Sequence, residues 1–339
     1  MPLLSICLPS NRNLKDSLVA IESALAYADA VDCLVILSDN SGDPEKRVYF
    51  EGRSPRLTYL IPPDDSAMTN MMNTLKAVTT PFLMPMGDDD EIYKVEGEER
   101  FDLEALPMDF IGVRPQTQIW TRSNGVLQTE RFTIDADGSD ERILEYNLKA
   151  CGNNSIYYSV FRSDYFRPLL NIFEQAHPTQ GGYCDWALCF TLFAGGKMAY
   201  DPATLYRYDF GRWAEKDSAE EARLKLFRTV GLPEKAEDFS SLLTFADLHV
   251  FLMLGSLPLT TDQRSAALVM NCRIALSTFL RKVRDEPEKY DEISRYLAGM
   301  IEENPNVDNA FQISVMLMDS IQPGLKDRYV SFYQQAIAA

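Results

Sequence analysis

The chain has 339 residues, of which 46% are hydrophobic and 11% aromatic, a composition that is typical of a packed globular protein and excludes a disordered one. Its formal net charge of -17 argues against free nucleic acid as a partner, because binding nucleic acid requires a basic face. No apolar run approaches the roughly 18 residues needed to span a bilayer, so no transmembrane segment is predicted.

The beginning of the chain is typical of a parallel strand-helix-strand unit. Leu3 to Leu8 is rich in β-forming residues and lacks the basic region and cleavage site of an export signal, so we predict a first strand and a cytoplasmic protein. A helix with apolar residues at 3.6-residue spacing follows up to about Ala30, and Cys33 to Leu37 is a second apolar run. Both strands end in polar loops, where open α/β sheets bind ligands.

The same order of elements then repeats. Leu57 to Ile61 is predicted to be a third strand and Asp65 to Val78 a helix. Pro81 to Met86 is a short buried strand, and Asp88-Asp89-Asp90 follow it directly. The order is that of a nucleotide-binding half-sheet.

The second half of the chain has a different pattern. From Asp109 shorter β-like runs favour a mixed sheet, with Asn124-Gly125 as a hairpin turn. Beyond about Ser218 apolar residues recur at helical spacing between prolines. We predict an α/β domain over 1–218, with a nucleotide-binding half (1–108) and an acceptor half (109–218), and an α-helical domain over 219–339.

The three consecutive carboxylates at 88–90 favour a cation. An acidic cluster at the end of a buried strand is costly unless positive charge offsets it. Mg²⁺ and Mn²⁺ prefer oxygen ligands, usually one or two protein carboxylates together with the phosphates of a nucleotide. The cluster therefore indicates a metal–diphosphate site, although a solvated acidic loop is the alternative interpretation.

Several short motifs together resemble the family-2 glycosyltransferases, which have the GT-A fold. Ser5-Ile6-Cys7-Leu8-Pro9-Ser10-Asn11-Arg12 is similar to the family's first-strand signature, and Leu37 to Asp43 to the aspartate loop after its second strand. Gly87-Asp88-Asp89-Asp90 corresponds to its D-x-D region, and Asp185 falls where the family places its catalytic base. The resemblance spans roughly residues 3–215 and rests on the order and spacing of these motifs.

The resemblance implies a Rossmann-like mixed sheet, a nucleoside-diphosphate-sugar donor (a UDP-sugar above all), Mn²⁺ or Mg²⁺, and inversion at the anomeric carbon. Asp39 would contact the base, with Pro9, Ser10 and Arg12 in the same pocket. Asp88 would lie toward the ribose, and Asp89 or Asp90 would bind the metal. Which of the three aspartates binds it stays open. For Asp39, capping of its own loop is the alternative.

Other residues extend this candidate site. Asn70 and Asn73 lie near the strand ends, and Arg212 has the geometry to pair with a phosphate or, alternatively, to pack beside a tryptophan. On the acceptor side we single out Asn153, Asn154 and Trp186. The two asparagines are also a turn signal, and the tryptophan is equally a candidate core residue.

Inverting transfer to a hydroxyl requires a base that removes the acceptor proton and positive charge that stabilises the departing diphosphate. Asp185 is the candidate base, and its position at the start of a predicted helix favours its ionised form. An ordinary N-cap aspartate is the alternative.

We therefore predict a metal-dependent, inverting glycosyltransferase of the hexosyltransferase type, which acts on a hydroxyl of a glycan in polysaccharide biosynthesis. A sugar nucleotidyltransferase is the second enzyme class, but the Pro9 to Asn13 loop lacks the glycines that a triphosphate-binding loop needs. A glycosyltransferase-like scaffold without turnover is the non-enzymatic alternative. For residues 219–339, acceptor binding, covering of the site and a homo-oligomer contact stay open.

Overall fold

The computed structural model describes residues 2–150, 152–303 and 306–339. In these residues the strands form one sheet of nine. In chain order they are β1 (Leu4–Ser10), β2 (Leu34–Asp39), β3 (Leu57–Leu60), β4 (Phe82–Pro85), β5 (Glu91–Lys94), β6 (Phe110–Thr121), β7 (Gly125–Glu130), β8 (Val160–Arg162) and β9 (Lys197–Asp209).

The first four strands form a parallel group at one end of the sheet, and β6 and β9 form a second parallel pair. The order is β3-β2-β1-β4-β8-β6-β9-β5, and β7 pairs with β6. Strand β1 is parallel to β2 and β4, whereas β8 is antiparallel to both of its neighbours. Strand β1 is apolar along most of its length, because a parallel strand is covered on both faces. Its register with β2 places Ser10 opposite Asp39, so these two strands end together.

The helices are, in chain order, α1 (Leu14–Val31), α2 (Pro44–Phe50), α3 (Ala67–Lys76), α4 (Ser139–Lys149), α5 (Ser163–Ala176), α6 (Asp185–Gly195), α7 (Gly211–Ala214), α8 (Lys216–Arg228), α9 (Ser240–Leu252), α10 (Thr261–Asn271), α11 (Ser277–Asp285), α12 (Glu292–Glu303), α13 (Val307–Ile321) and α14 (Leu325–Ala338). A π-helical turn, Cys272–Leu276, joins α10 to α11. No helix of the described residues is both long and apolar enough to cross a membrane.

The chain folds into two compact units. The sheet unit comprises Met1–Asp135, Gly152–Leu170 and Lys197–Glu215. The helical unit comprises Ala136–Cys151, Asn171–Gly196 and Lys216–Ala339. Every strand named above lies in the sheet unit, and α6 and α8 to α14 lie in the helical unit. The two units alternate along the chain. The predicted domains, 1–218 and 219–339, stay a prediction.

The predicted α/β fold class is confirmed: a mixed sheet flanked by helices, with α-helices at the C-terminal end. Local differences have local causes. Strand β8 is only three residues long, because the segment before it forms a 3-10 turn, Ser155–Tyr157. Helices α2 and α4 were not predicted, because neither has a sustained apolar stripe.

Candidate nucleotide-binding site

The polar residues after β1, β2 and β4 meet at one edge of the sheet. Strands β1 and β2 end side by side, and Pro85 at the end of β4 pairs with Cys7 of β1. The loops that follow these strands therefore share a small volume within the sheet unit. This edge is where parallel sheets bind ligands.

Asp88 organises the loop after β1. Its Oδ2 accepts hydrogen bonds from Ser10 Oγ at 2.7 Å and from the backbone N–H groups of Asn11 and Arg12 at 3.1 and 3.2 Å. Its Oδ1 accepts one from Arg12 Nε at 3.1 Å. Asp88 is 9% exposed, so these protein donors largely satisfy its carboxylate. The structure thus gives this aspartate a role in holding Ser10 and Arg12 in place.

Asp89 lies between two arginines. Its Oδ2 accepts hydrogen bonds from Arg12 Nη2 at 2.5 Å and from Arg212 Nη2 at 2.8 Å. The two arginine side chains are 33% and 59% exposed, so both guanidinium groups remain accessible. Two accessible guanidinium groups that lie side by side offer N–H donors of the kind that bind phosphate.

Asp90 points into the sheet unit. It is 1% exposed, and its two oxygens accept hydrogen bonds from Tyr206 Oη at 2.6 Å and from the backbone N–H of Asp209 at 2.8 Å. Burial raises the pKa of Asp90 to about 8, and the negative charge of Asp89 adds to the shift. This carboxyl is therefore mostly protonated at neutral pH in the absence of a cation.

Asp39 is held by a buried lysine that sequence reasoning missed. Lys46 of α2 has no exposed side-chain surface, and its Nζ donates to Asp39 Oδ1 at 3.1 Å, to Ser10 Oγ at 2.5 Å and to the carbonyl oxygen of Arg12 at 2.8 Å. Burial lowers the pKa of Lys46, and the charge of Asp39 opposes that shift. Tyr59 Oη donates to Asp39 Oδ2 at 2.5 Å. The available signal was Asp43-Pro44, a helix N-cap followed by proline at the first helical position.

A cleft opens beside this buried pair. Its volume is about 400 Å³, and Asp39, Asn40, Tyr59, Ile61 and Pro62 contribute to its lining. A wall with apolar residues (Ile61 and Pro62) and polar side chains around it suits a flat, polar-edged ring such as a nucleobase.

The two predicted asparagines of α3 serve the same strand ends. Asn70 is 3% exposed and donates to the carbonyl oxygen of Ser10 at 3.2 Å and to Asn40 Oδ1 at 3.0 Å. Asn73 donates to Ser38 Oγ at 2.9 Å. Both side chains fasten α3 to the ends of β1 and β2.

The donor set fits a divalent cation through Asp89. Both oxygens of Asp88 and of Asp90 accept hydrogen bonds from the protein, whereas the side chain of Asp89 is 17% exposed and its hydrogen bonds are on one oxygen. A cation of this class commonly takes one or two protein carboxylates and completes its shell with phosphate and water. Of the two predicted metal ligands, Asp89 is the accessible one.

The predicted acceptor residues have structural partners. Asn153 donates to Glu130 Oε1 at 2.7 Å and caps the turn by accepting the N–H of Ser155 at 3.1 Å. Glu130 in turn pairs with the buried Arg114. Asn154 precedes the 3-10 turn Ser155–Tyr157 as its N-cap residue. The acceptor role of both asparagines stays a prediction.

Asp185 and Trp186 lie in the helical unit, at the start of α6. Asp185 is the first residue of α6, as predicted, and its Oδ1 accepts the N–H of Trp186 at 2.7 Å. Trp186 is half-buried, with its ring centroid 5.7 Å from that of Tyr146 and 5.9 Å from that of Phe190. The catalytic and acceptor roles of these two residues stay predictions.

Comparisons with known proteins give a likeness of structure alone. No protein-family model matches the chain, and no curated protein matches it. The structure is similar to crystal structures of S. aureus TarS. The 1–349 fragment has a TM-score of 0.43 and 12% identity over 93% of this chain and 90% of that one.

Two further TarS structures give similar values. The fragment in complex with UDP has a TM-score of 0.42 and 13% identity over 93% of this chain and 90% of that one. A longer TarS chain has a TM-score of 0.43 and 12% identity over 93% of this chain and 55% of that one. At this level of similarity, the ligand and the reaction have to be inferred from this chain's own residues.

Proposed function

We propose that this protein is a glycosyltransferase that takes a sugar from a nucleoside-diphosphate donor, a UDP-sugar, and transfers it with inversion to a hydroxyl of a glycan acceptor. One observation carries the proposal: Arg12 and Arg212 converge on Asp89 at the carboxyl edge of the parallel strands, next to the cleft beside Asp39. A cleft for a base beside a pair of exposed guanidinium groups suits a nucleotide whose diphosphate carries the negative charge.

Each part of the proposed site has one task. The cleft lined by Asp39 and Tyr59 receives the base, and Arg12 and Arg212 bind the diphosphate. Asp89 would hold Mn²⁺ or Mg²⁺, which when bound supplies positive charge to the departing diphosphate. The buried Lys46 and Asp88 keep Arg12 oriented toward the ligand by fixing its loop.

Asp185 is proposed as the general base. It would accept the proton of the acceptor hydroxyl as that oxygen attacks the anomeric carbon on the face opposite the diphosphate, which breaks the bond to the leaving oxygen. The attack from the opposite face gives inversion. Its place in the first turn of α6 favours the ionised form that a base needs.

A nucleotide-binding module without turnover is the second candidate. It is favoured by the two guanidinium groups that already neutralise Asp89 in the absence of a cation. Such a module would bind UDP equally well with and without Mn²⁺ and would release no sugar.

Calorimetric titration of UDP and GDP, each with and without Mn²⁺, tests the donor site. We expect Mn²⁺-dependent UDP binding in the wild type and in Asp185→Asn, and its loss in Asp89→Ala. Asp29→Ala is the matched control, because Asp29 is an exposed aspartate at the end of α1 that pairs with Arg56. Failure of both nucleotides to bind under every metal condition contradicts the proposal.

The same variants separate binding from transfer. With a UDP-sugar and a glycan acceptor, Asp185→Asn should bind UDP normally and lose transfer by a factor of roughly 10² to 10⁴, the range expected for removal of a general base. Transfer at the wild-type rate by Asp185→Asn would assign the base to another residue.

A further inference from the structure

The helical unit contains a buried polar cluster, and one of its members, Cys184, directly precedes Asp185 in the chain. The cluster consists of His177, Cys184, Asp247 of α9 and Tyr329 of α14. His177 Nε2 lies 3.0 Å from Asp247 Oδ1, and Cys184 Sγ lies 3.5 Å from the same nitrogen. Tyr329 Oη donates to Asp247 Oδ1 at 2.7 Å. All of these side chains are almost fully buried, and none belongs to the nucleotide site.

The residue types suggest a metal site, but the hydrogen bonds of the imidazole argue against one. His177 Nδ1 accepts the backbone N–H groups of Thr179 at 3.2 Å and Gln180 at 2.9 Å. The ring therefore carries its proton on Nε2, which donates to Asp247. A metal on Nε2 would move that proton to Nδ1, where two N–H donors already point. The cluster is thus a hydrogen-bonded network.

The network fixes the turn that leads into α6. His177 binds the turn through the two backbone amides, and Thr179 Oγ1 is 2.6 Å from the hydroxyl of Tyr183. Gln180 has a φ of 56°, in the left-handed region that non-glycine residues seldom adopt. Surrounding contacts must hold such a conformation in place. The turn continues through a 3-10 segment, Gly182–Cys184, and the next residue is Asp185.

Asp247 and Tyr329 connect this turn to two distant helices. Asp247 Oδ1 accepts from both His177 and Tyr329, so one oxygen joins the turn to α9 and α14. Aromatic rings surround the imidazole, with the Phe332 centroid at 5.1 Å and the Phe173 centroid at 4.7 Å. Exclusion of water strengthens each hydrogen bond of the network.

We propose that Asp247 and Tyr329 are positioning residues for Asp185: through His177 they hold the turn 177–184, and so set the direction of the carboxylate that begins α6. This inference rests on the proposed function, in which Asp185 is the base. Helix α14 would then help to position Asp185, because Tyr329, whose hydroxyl donates to Asp247, lies on α14. Loss of that hydroxyl should therefore affect the chemical step and leave nucleotide binding unchanged.

Tyr329→Phe removes one hydroxyl from the network and keeps the ring. Its matched control is Tyr290→Phe, because Tyr290 is also buried in the helical unit and its hydroxyl donates to a protein acceptor, the carbonyl oxygen of Asp238, at 3.0 Å. Three quantities are compared in both variants: amide hydrogen exchange over residues 177–190, the affinity for UDP with Mn²⁺, and kcat and KM for transfer.

For Tyr329→Phe we expect exchange over 182–188 to accelerate roughly tenfold, the size expected for one buried hydrogen bond. We expect kcat to fall about tenfold or more, since a slightly misplaced catalytic group slows the chemical step, while the KM for the donor and the UDP affinity stay unchanged. Tyr290→Phe should leave exchange over 182–188 and kcat within about twofold of wild type.

Equal exchange over 182–188 in the two variants overturns the inference, and so does faster exchange in Tyr329→Phe with an unchanged kcat. Failure of the proposed function has a different signature, because a wild-type protein that transfers no sugar refutes the enzyme proposal directly. The exchange comparison needs no substrate and still decides whether Tyr329 holds the start of α6.

Discussion

Removal of the buried lysine at the candidate nucleotide site is the sharpest test of how that site is held together. Lys46 has no exposed side-chain surface, and all three of its N–H groups have acceptors in Asp39, Ser10 and Arg12. Lys46→Met removes the charge and keeps an unbranched apolar stem. Asp39, of which 5% is exposed, is then left buried without its cation.

The magnitude follows from the burial of both partners. Removal of one member of a buried ion pair typically costs about 3–5 kcal/mol, because the other charge stays unpaired in a medium of low dielectric constant. Replacing both members is far less costly. The double variant Asp39→Asn/Lys46→Met should therefore cost at least about 2 kcal/mol less than the sum of the two single variants.

Urea unfolding followed by tryptophan fluorescence measures these differences, with Lys15→Met as control. Lys15 is exposed at the start of α1, so its substitution should change the free energy of unfolding by no more than about 0.5 kcal/mol. Lys46→Met should also weaken UDP binding, because the loop that carries Arg12 loses one of its anchors. If the costs of the two single variants add up to the cost of the double variant, the buried-pair interpretation is refuted.

Three further predictions test other parts of the molecule. Burial lowers the pKa of His249 from 6.5 to about 4, so the folded state resists protonation of this imidazole. The free energy of unfolding should therefore decrease as pH falls from 6.5 toward 4, by up to about 3 kcal/mol. In urea unfolding at pH 7 and pH 5, His249→Phe should remove this pH dependence. The buried guanidinium of Arg142 donates to carbonyl oxygens of residues 136, 137, 193 and 194. Arg142→Met should therefore lower the free energy of unfolding by about 3 kcal/mol or more and lower Tm, and Arg142→Lys should restore little of that stability. Arg212→Ala should weaken UDP binding about tenfold and leave uridine binding unchanged, since a charge-assisted hydrogen bond contributes about 1.5–3 kcal/mol; equal losses for both ligands would contradict its role on the phosphates.

The sequence predicts the parallel part of the sheet well, because its signal is local. The apolar runs at Leu3 to Leu8 and Cys33 to Leu37 became β1 and β2 with ends shifted by one or two residues. A parallel strand that is buried on both faces is apolar throughout, so a short window of sequence is enough to identify it. The polar loops after these strands could be placed at one edge by the same reasoning.

The different tasks of the three aspartates could not be predicted in this way. Asp88 is bound by Ser10 and Arg12, which lie 78 and 76 residues earlier, and Asp90 by Tyr206, 116 residues later. A run of three identical side chains has no local feature that tells them apart, since each role depends on a partner brought in by the fold. Lys46 was missed for a related reason: a lysine is normally exposed, and only tertiary pairing makes its burial stable.

The charges of the candidate site explain why a nucleotide diphosphate and a cation would bind together. The ion pairs of the site contain three carboxylates and three cations. Arg12 pairs with Asp88 and Asp89, Arg212 pairs with Asp89, and Lys46 pairs with Asp39. A diphosphate that draws the guanidinium groups away from Asp89 adds several negative charges and leaves that carboxylate unpaired. A divalent cation on Asp89 would restore the balance. Its positive charge would also favour ionisation of the neighbouring Asp90, whose raised pKa arises partly from Asp89 itself. UDP and Mn²⁺ should therefore each increase the affinity for the other, and Asp89→Ala should abolish this mutual effect while it leaves Arg12 and Arg212 free to bind UDP weakly without metal.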